Sequence, residues 1–216
     1  MNVLALEGAL GTFSIAIARD GRVVARRSED GRRALESGLA LVESAMRDAE
    51  ARPESFDCIA VGNGPGGFTG LRIAISYAKA LAIAWRLPLV AVSSYDLLEG
   101  DASAPVLTVV RGRTGVVCAR FRAASSVATA CGPPAEVVRR LVGRERSIAL
   151  AGDAEDVREA LAERDIAVHI AAASNAPADA LALLAQSCAP ASSPDEGRPE
   201  YGELPAVKPP RERDVR

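Results

Sequence analysis

Hydrophobic and polar positions alternate tightly near the start of the chain and then lengthen into helical stretches. Val3-Leu-Ala-Leu-Glu7 is followed by Gly11-Thr-Phe-Ser-Ile-Ala-Ile-Ala18, where Phe13, Ile15 and Ile17 alternate with smaller residues, the two-residue period of a strand. Asp20-Gly21 signals a tight hairpin into Arg22-Val-Val-Ala-Arg26. Leu35, Leu39, Val42, Met46 and Ala49 then recur at helical spacing and predict a helix over about 34–50. Cys58-Ile-Ala-Val61 reads as a short strand, residues 62–67 as its turn, 70–85 as a second helix and Leu87-Pro-Leu-Val-Ala-Val92 as a further strand. This order, three strands followed by alternating helices and strands, is that of a ribonuclease-H-like unit. Such a unit is the half-module of the actin, sugar-kinase and heat-shock-protein superfamily.

The second half repeats the signals more faintly. Residues 105–110 and 116–121 read as a hairpin, 134–142, 154–164 and 178–188 as helices, and 148–151 and 167–171 as strands. The expectation is an α/β protein of two ribonuclease-H-like halves, the second reduced. We divide it into an N-terminal domain over 1–101, a smaller α/β domain over 102–190, and a tail over 191–216. From Pro190 onward six prolines and dense charge leave that tail without a core of its own.

Composition narrows the functions. With 49% hydrophobic and 25% charged residues the chain is globular in type. No apolar run approaches the roughly 20 residues that span a bilayer, and Met-Asn-Val-Leu-Ala-Leu-Glu lacks the basic start of a signal peptide. A cytoplasmic protein with no membrane contact is expected. The net charge of -2 argues against a tight grip on RNA by this chain alone, so contact with RNA is expected to be indirect. Cys58, Cys118, Cys131 and Cys188 form no Cys-x-x-Cys pair and read as free thiols of a reducing compartment. His169 is the one histidine, so no metal site and no cofactor is expected.

The informative stretch is Gly64-Pro65-Gly66-Gly67-Phe68-Thr69-Gly70-Leu71-Arg72-Ile73. Glycines after a strand and before a helix can cradle an anion with backbone N–H groups. The Gly-Lys-Ser/Thr of a P-loop is absent, however. Thr69 as N-cap, with Phe68 and Ile73 as a hydrophobic staple, explains the segment as helix nucleation instead. Both readings stay open, with Glu7, Gly11 and Gly66 as the residues for a weak nucleotide contact. The helix behind the motif has only Arg72, Ser76 and Lys79 as strongly polar side chains, in one stripe. A surface helix buries about 100° of its circumference; this one needs cover on two sides. Leu71, Ala74, Ile75, Ala78 and Ala82, with Leu35, Gly38, Leu39, Val42 and Met46 of the first helix, are the candidate partner-binding face. An intramolecular core is the alternative. On the docking reading, Ala78→Glu leaves a folded monomer that no longer pairs.

Gly-Pro-Gly-x-Phe-Thr-Gly-Leu-Arg-Ile, placed after an amphipathic helix and before Leu-Pro-Leu-Val-Ala-Val-Ser-Ser, closely resembles the TsaB (YeaZ) family of tRNA threonylcarbamoyladenosine (t6A) biosynthesis. The resemblance covers residues 1 to about 100 well and the rest loosely. It implies two actin-like halves and a subunit that performs no chemistry and has no catalytic residues of its own. It also implies that the helices after the meander and after the glycine loop pack on their counterparts in the catalytic subunit TsaD, with the ATPase TsaE completing the machinery. The chain departs from the family at Glu7-Gly8-Ala9 in the first turn, at Gly67 and Ala74, and at Arg33-Ala34-Leu35, where a His-Ser pair is absent. Arg111-Gly112-Arg113 replaces Asp-Ala-Arg, and Pro199-Glu-Tyr-Gly-Glu203 lacks the closing Arg. The rival readings are an ATP-dependent phosphotransferase or carbamoyltransferase, which needs acids to hold Mg²⁺, and a homodimer of glycoprotease-like fold, without protease activity, through the same helices.

Overall fold

A computed structural model describes residues 1–30, 33–153, 155–171, 176–191, 193–194 and 197–202, with Ala34 and Leu35 described by backbone alone. The expected meander forms from β1 (Asn2–Glu7), β2 (Thr12–Arg19) and β3 (Arg22–Asp30). Asp20 and Gly21 both adopt positive φ, of 49° and 78°, the geometry of the tight turn that twists with its flanking strands. α1 (Ala34–Asp48) leads to β4 (Cys58–Gly62), and α2 (Phe68–Trp85) leads to β5 (Leu89–Val92). β4 lies parallel to β1, and β5 parallel to β4, so the first sheet runs β3-β2-β1-β4-β5.

α3 (Ser94–Glu99) crosses to the second half, its start capped by Ser93 Oγ accepting from the Tyr95 N–H. There β6 (Val106–Arg111), β7 (Val117–Arg122) and β8 (Val127–Gly132) form a second meander. α4 (Pro134–Leu141), β9 (Ser147–Gly152), α5 (Glu155–Ala162) and β10 (Ala167–Ile170) complete it. The order β10-β9-β6-β7-β8 repeats the first sheet strand for strand. The reduction expected from sequence lies in the helices: α4 and α5 have 8 residues each, against 15 and 18 in α1 and α2. β8 is not predicted by the hydrophobic pattern. It is an edge strand whose first three residues are exposed, so its inward apolar positions are too few to print an alternation.

Both faces of the first sheet are covered. Leu4, Leu6, Ile15, Ile17, Ile59 and Val61 pack on one face against α1 and α2. Val3, Ala5, Ala16, Ala18 and Cys58 pack on the other against α6 (Pro177–Leu184), through Ala178, Leu181 and Ala182. By sequence α6 sits with the second half; in space its small residues lie on the alanines of β1 and β2. The tail then doubles back: the Ala191 N–H donates to Leu89 O and the Glu200 N–H to Asn63 O, at 2.8 and 2.7 Å. Glu203 and everything beyond it fall outside the described residues. Among the described residues no helix is long and apolar enough to cross a membrane.

Candidate functional site

The glycine motif and the first turn of the chain are locked backbone to backbone. A Cβ on Gly66 would stand 2.2 Å from the Ala9 carbonyl oxygen, one on Gly70 2.1 Å from Gly8 O, and one on Gly8 2.5 Å from Gly70 O. Only glycine permits that approach. The Gly67 N–H donates to Ala9 O at 2.7 Å, so an amide that an anion could have used is already bonded inside the protein. The helix begins earlier than the sequence suggests. Gly67, extended and without a side chain to cap, precedes Phe68 as first helical residue. Thr69 is therefore inside the first turn and is not the N-cap. Phe68 forms no inward staple; it is exposed, with the Tyr201 ring tilted against it at 31° and 5.3 Å between centroids, and covered by the Arg72 guanidinium at 5.2 Å.

Between the halves lies a cleft of about 440 Å³ lined by Ala9, Leu10, Gly11, Val109, Arg111 and Asp153 among others. This is the crevice at the carboxyl ends of β1 and β6, where open α/β sheets take ligands. Of the three residues expected to touch a nucleotide, Gly11 alone lines it. Glu7 lies fully buried beneath the turn and Gly66 is pressed on Ala9. Arg111, in the stretch that departs from the family pattern, is turned to its own domain and pairs with Asp153 at 2.9 Å. Among the described residues no group of three His, Cys, Asp or Glu is arranged to hold a metal ion.

The helix pair corrects the docking surface. Leu71, Ala74, Ile75, Ala78 and Ala82 are all buried in the core with β1 and β4, and Val42 joins them from α1. Met46 is half-buried against the same cluster. Gly38 is a notch for α2: a Cβ there would meet the Tyr77 ring at 2.4 Å. Leu35 has its side chain outside the described residues. The apolar residues that do face outward are Leu39 at 53% exposure, Ile83 at 62%, and the exposed Ala40, Ala80 and Ala84. The surplus of apolar faces on α2 was thus satisfied mostly inside the chain, by its sheet and by α1, because alanines at four-residue spacing let a helix sit close on a sheet.

Three comparisons bear on this arrangement. Residues 30–173, two thirds of the chain, match the family model "TsaD: tRNA N6-adenosine threonylcarbamoyltransferase". The tRNA threonylcarbamoyladenosine biosynthesis protein TsaB of Bacillus subtilis is 32% identical over 106 residues, 47% of this chain and 44% of that protein. YeaZ from Pseudomonas aeruginosa superposes with a TM-score of 0.69 at 27% identity, covering 93% of this chain and 99% of the other. The chain belongs to the TsaB/YeaZ family. Its sequence match spans about half the length of the curated relatives. A sugar kinase, the ROK hexokinase of Thermus thermophilus, shares the fold of this TsaB/YeaZ chain at a TM-score of 0.51 and 14% identity over 86% of this chain and 97% of the other.

Within this family member Glu7 is the group the sequence reading placed least well. Its carboxylate accepts from the Ala9 N–H at 2.7 Å and the Leu10 N–H at 3.4 Å. Gly62 leaves room for it, since a Cβ there would stand 3.2 Å from Glu7 Oε1. Burial pushes the carboxyl up from 4.5 to about 7 against the pull of those backbone bonds. The unfolded chain then loses this proton at a lower pH than the native state, so stability falls as pH rises from 4.5 to about 7 and levels off above that. The decline expected from this one group is about 3 kcal/mol. Glu7→Gln keeps an acceptor for Ala9 and should flatten that part of the profile in urea unfolding at pH 5, 6, 7 and 8. An unchanged slope in the variant would refute the assignment.

Proposed function

We propose that the chain is a non-catalytic scaffold subunit of the t6A modification machinery that docks on and activates a TsaD-type catalytic subunit. The observation carrying this reading is the lock between the first turn and the glycine motif. Binding phosphate at such turns needs free backbone N–H groups; here Ala9 O holds the Gly67 amide and Gly66 sits on Ala9. The one acid of the first turn, Glu7, is buried and faces its own backbone, and the acid across the cleft, Asp153, is paired with Arg111. Neither is placed to hold Mg²⁺ against a nucleotide, which weighs against the phosphotransferase and carbamoyltransferase readings. With the TsaB/YeaZ kinship, the α1–α2 pair is the surface of choice for docking. TsaE and tRNA join through the catalytic subunit on this reading, the net charge of -2 favouring an indirect part in RNA binding.

The contact residues are the outward ones, Leu39 and Ile83 with Ala80 and Ala84, and not the buried set. The double variant Leu39→Asp/Ile83→Asp should keep the circular dichroism and unfolding midpoint of the parent, because both sites are solvated. It should lose co-purification with the TsaD-type subunit by at least about tenfold, the effect of removing apolar anchors from a small interface. Light scattering of the parent alone reads the homodimer alternative: a dimer abolished by the same two substitutions assigns that face to self-association as well. Retained binding by a folded double variant would sink the proposed surface.

A further inference from the structure

Cys118 and Cys131 stand directly opposite each other on β7 and β8, joined by a disulfide with Cα atoms 4.1 Å apart. They are not the free thiols that their spacing predicts; the β7–β8 hairpin brings together two cysteines 13 positions apart. Two further observations distinguish this pair from an inert core cystine. Cys131 lines an open cavity of about 540 Å³, shared with Tyr95, Arg140, Glu200, Tyr201 and Gly202, so a reagent from solution can reach the edge of the pair. Gly202 of the returning tail lies over both sulfurs: a Cβ there would stand 2.3 Å from Cys118 Sγ and 3.0 Å from Cys131 Sγ. The same tail segment is held on the first half by the Glu200 N–H to Asn63 O bond and by the tilted contact of the Tyr201 ring with Phe68. A strap held on the first half therefore crosses the disulfide of the second.

We infer that Cys118–Cys131 is a thiol–disulfide exchange site for dithiol reductants, and that its state sets how firmly residues 197–202 are held. In the forward step a thiolate of the dithiol attacks Cys131 Sγ, the sulfur of the residue that lines the cavity. The Cys118–Cys131 bond breaks, Cys118 leaves as thiolate and takes up a proton, and a mixed disulfide forms on Cys131. The second thiol of the reductant displaces Cys131 and carries off the new disulfide. Two electrons and two protons end on the cysteine pair; the oxidised form of the same reagent class reverses the sequence. Once unbonded, the sulfurs separate to van der Waals contact, and Gly202 has no spare room above them. Gly202 is then lifted from β7–β8, and the Glu200 and Tyr201 contacts to the first half weaken with it. This site is independent of the docking face.

The test uses the full chain with Cys188→Ser, which removes the exposed free thiol while Cys58 stays buried. The protein is equilibrated with oxidised or reduced dithiothreitol, alkylated, and mapped by mass spectrometry, with hydrogen exchange followed in the tail peptide. Under oxidised reagent Cys118 and Cys131 should resist alkylation; under reduced reagent both should be labelled, and exchange at Glu200 to Gly202 should quicken about tenfold or more. Cys118→Ser/Cys131→Ser should exchange at the faster rate under both conditions. The measurement on the parent cysteines needs no destabilising variant, so it stands if the double serine protein folds poorly. Full alkylation of both cysteines after oxidation overturns the site. Reduction that leaves tail exchange unchanged overturns its coupling to the tail.

Discussion

Ala78→Glu should leave little folded protein. Ala78 has no exposed surface and packs in the cluster that joins α2 to β1 and β4. The substitution places a carboxylate in that cluster with no partner, a burial that costs several kcal/mol even when the group takes a proton instead. The four added heavy atoms have to enter a site that is already packed, and overpacking adds about 1–3 kcal/mol. Together these approach the roughly 5–15 kcal/mol that stabilises a whole domain. Ala80→Glu, two residues along on the exposed side of the same helix, is the matched control and should unfold within about 0.5 kcal/mol of the parent. Solubility, circular dichroism and urea unfolding of the two variants decide the matter. A soluble Ala78→Glu protein with the parental midpoint would return this face to solvent and revive the docking surface expected from sequence.

A comparable loss is expected at the junction of the halves. Glu99, at the end of α3, is buried and accepts from Thr108 Oγ1 at 3.0 Å, from Arg120 at 2.8 Å and from the Arg122 guanidinium. Arg120 also pairs with Asp96 at 2.6 Å and lies over the Tyr95 ring. Burial by itself would raise the Glu99 carboxyl; the bonds from Arg120, Arg122 and Thr108 outweigh it and hold the carboxyl below its ordinary value. Glu99→Ala removes the buried acceptor shared by two guanidinium groups and a hydroxyl, leaving Arg120 only Asp96 and Arg122 only the Ala102 carbonyl, and breaking a buried pair from one side costs about 3–5 kcal/mol. Glu99→Gln retains an acceptor and should cost less. Urea unfolding at pH 7 tests both, and a Glu99→Ala protein within about 1 kcal/mol of the parent would show the network to be dispensable. The pH dependence runs opposite to that of Glu7. The stability held by Glu99 is present above the ordinary carboxylate range and is lost as pH falls through it, whereas the Glu7 cost appears as pH rises toward 7.

Both variants probe places where a residue's neighbours come from distant parts of the chain. Glu99 meets Arg120 and Arg122 across about twenty residues, and no local period marks any of the three. The disulfide is hidden for a related reason: Cys118 and Cys131 become neighbours only through the register of β7 on β8, and β8 itself carries too weak a pattern to be seen. The return of the tail is hidden too, since its contacts at Leu89 and Asn63 are made by backbone groups that every sequence possesses.

The part of the molecule written in local pattern was legible from residues alone. The alternation of Phe13, Ile15 and Ile17, the turn at Asp20-Gly21, and the helical spacing of Val42 and Met46 each specify an element through its own period, and their order specifies an actin-like half. The glycine motif could be located and stripped of P-loop chemistry by the absence of its lysine. Whether its glycines serve a ligand or the protein was decided only by tertiary contact, because Gly66 and Gly70 meet the carbonyls of Ala9 and Gly8 from a segment some sixty residues earlier. The same holds for α2. Its sequence states that two sides must be covered, but periodicity carries no label for what covers them. The fold supplied the sheet and α1, and left Leu39 and Ile83 outside. Burial is a property of the assembled surface, and a helix read in isolation has none.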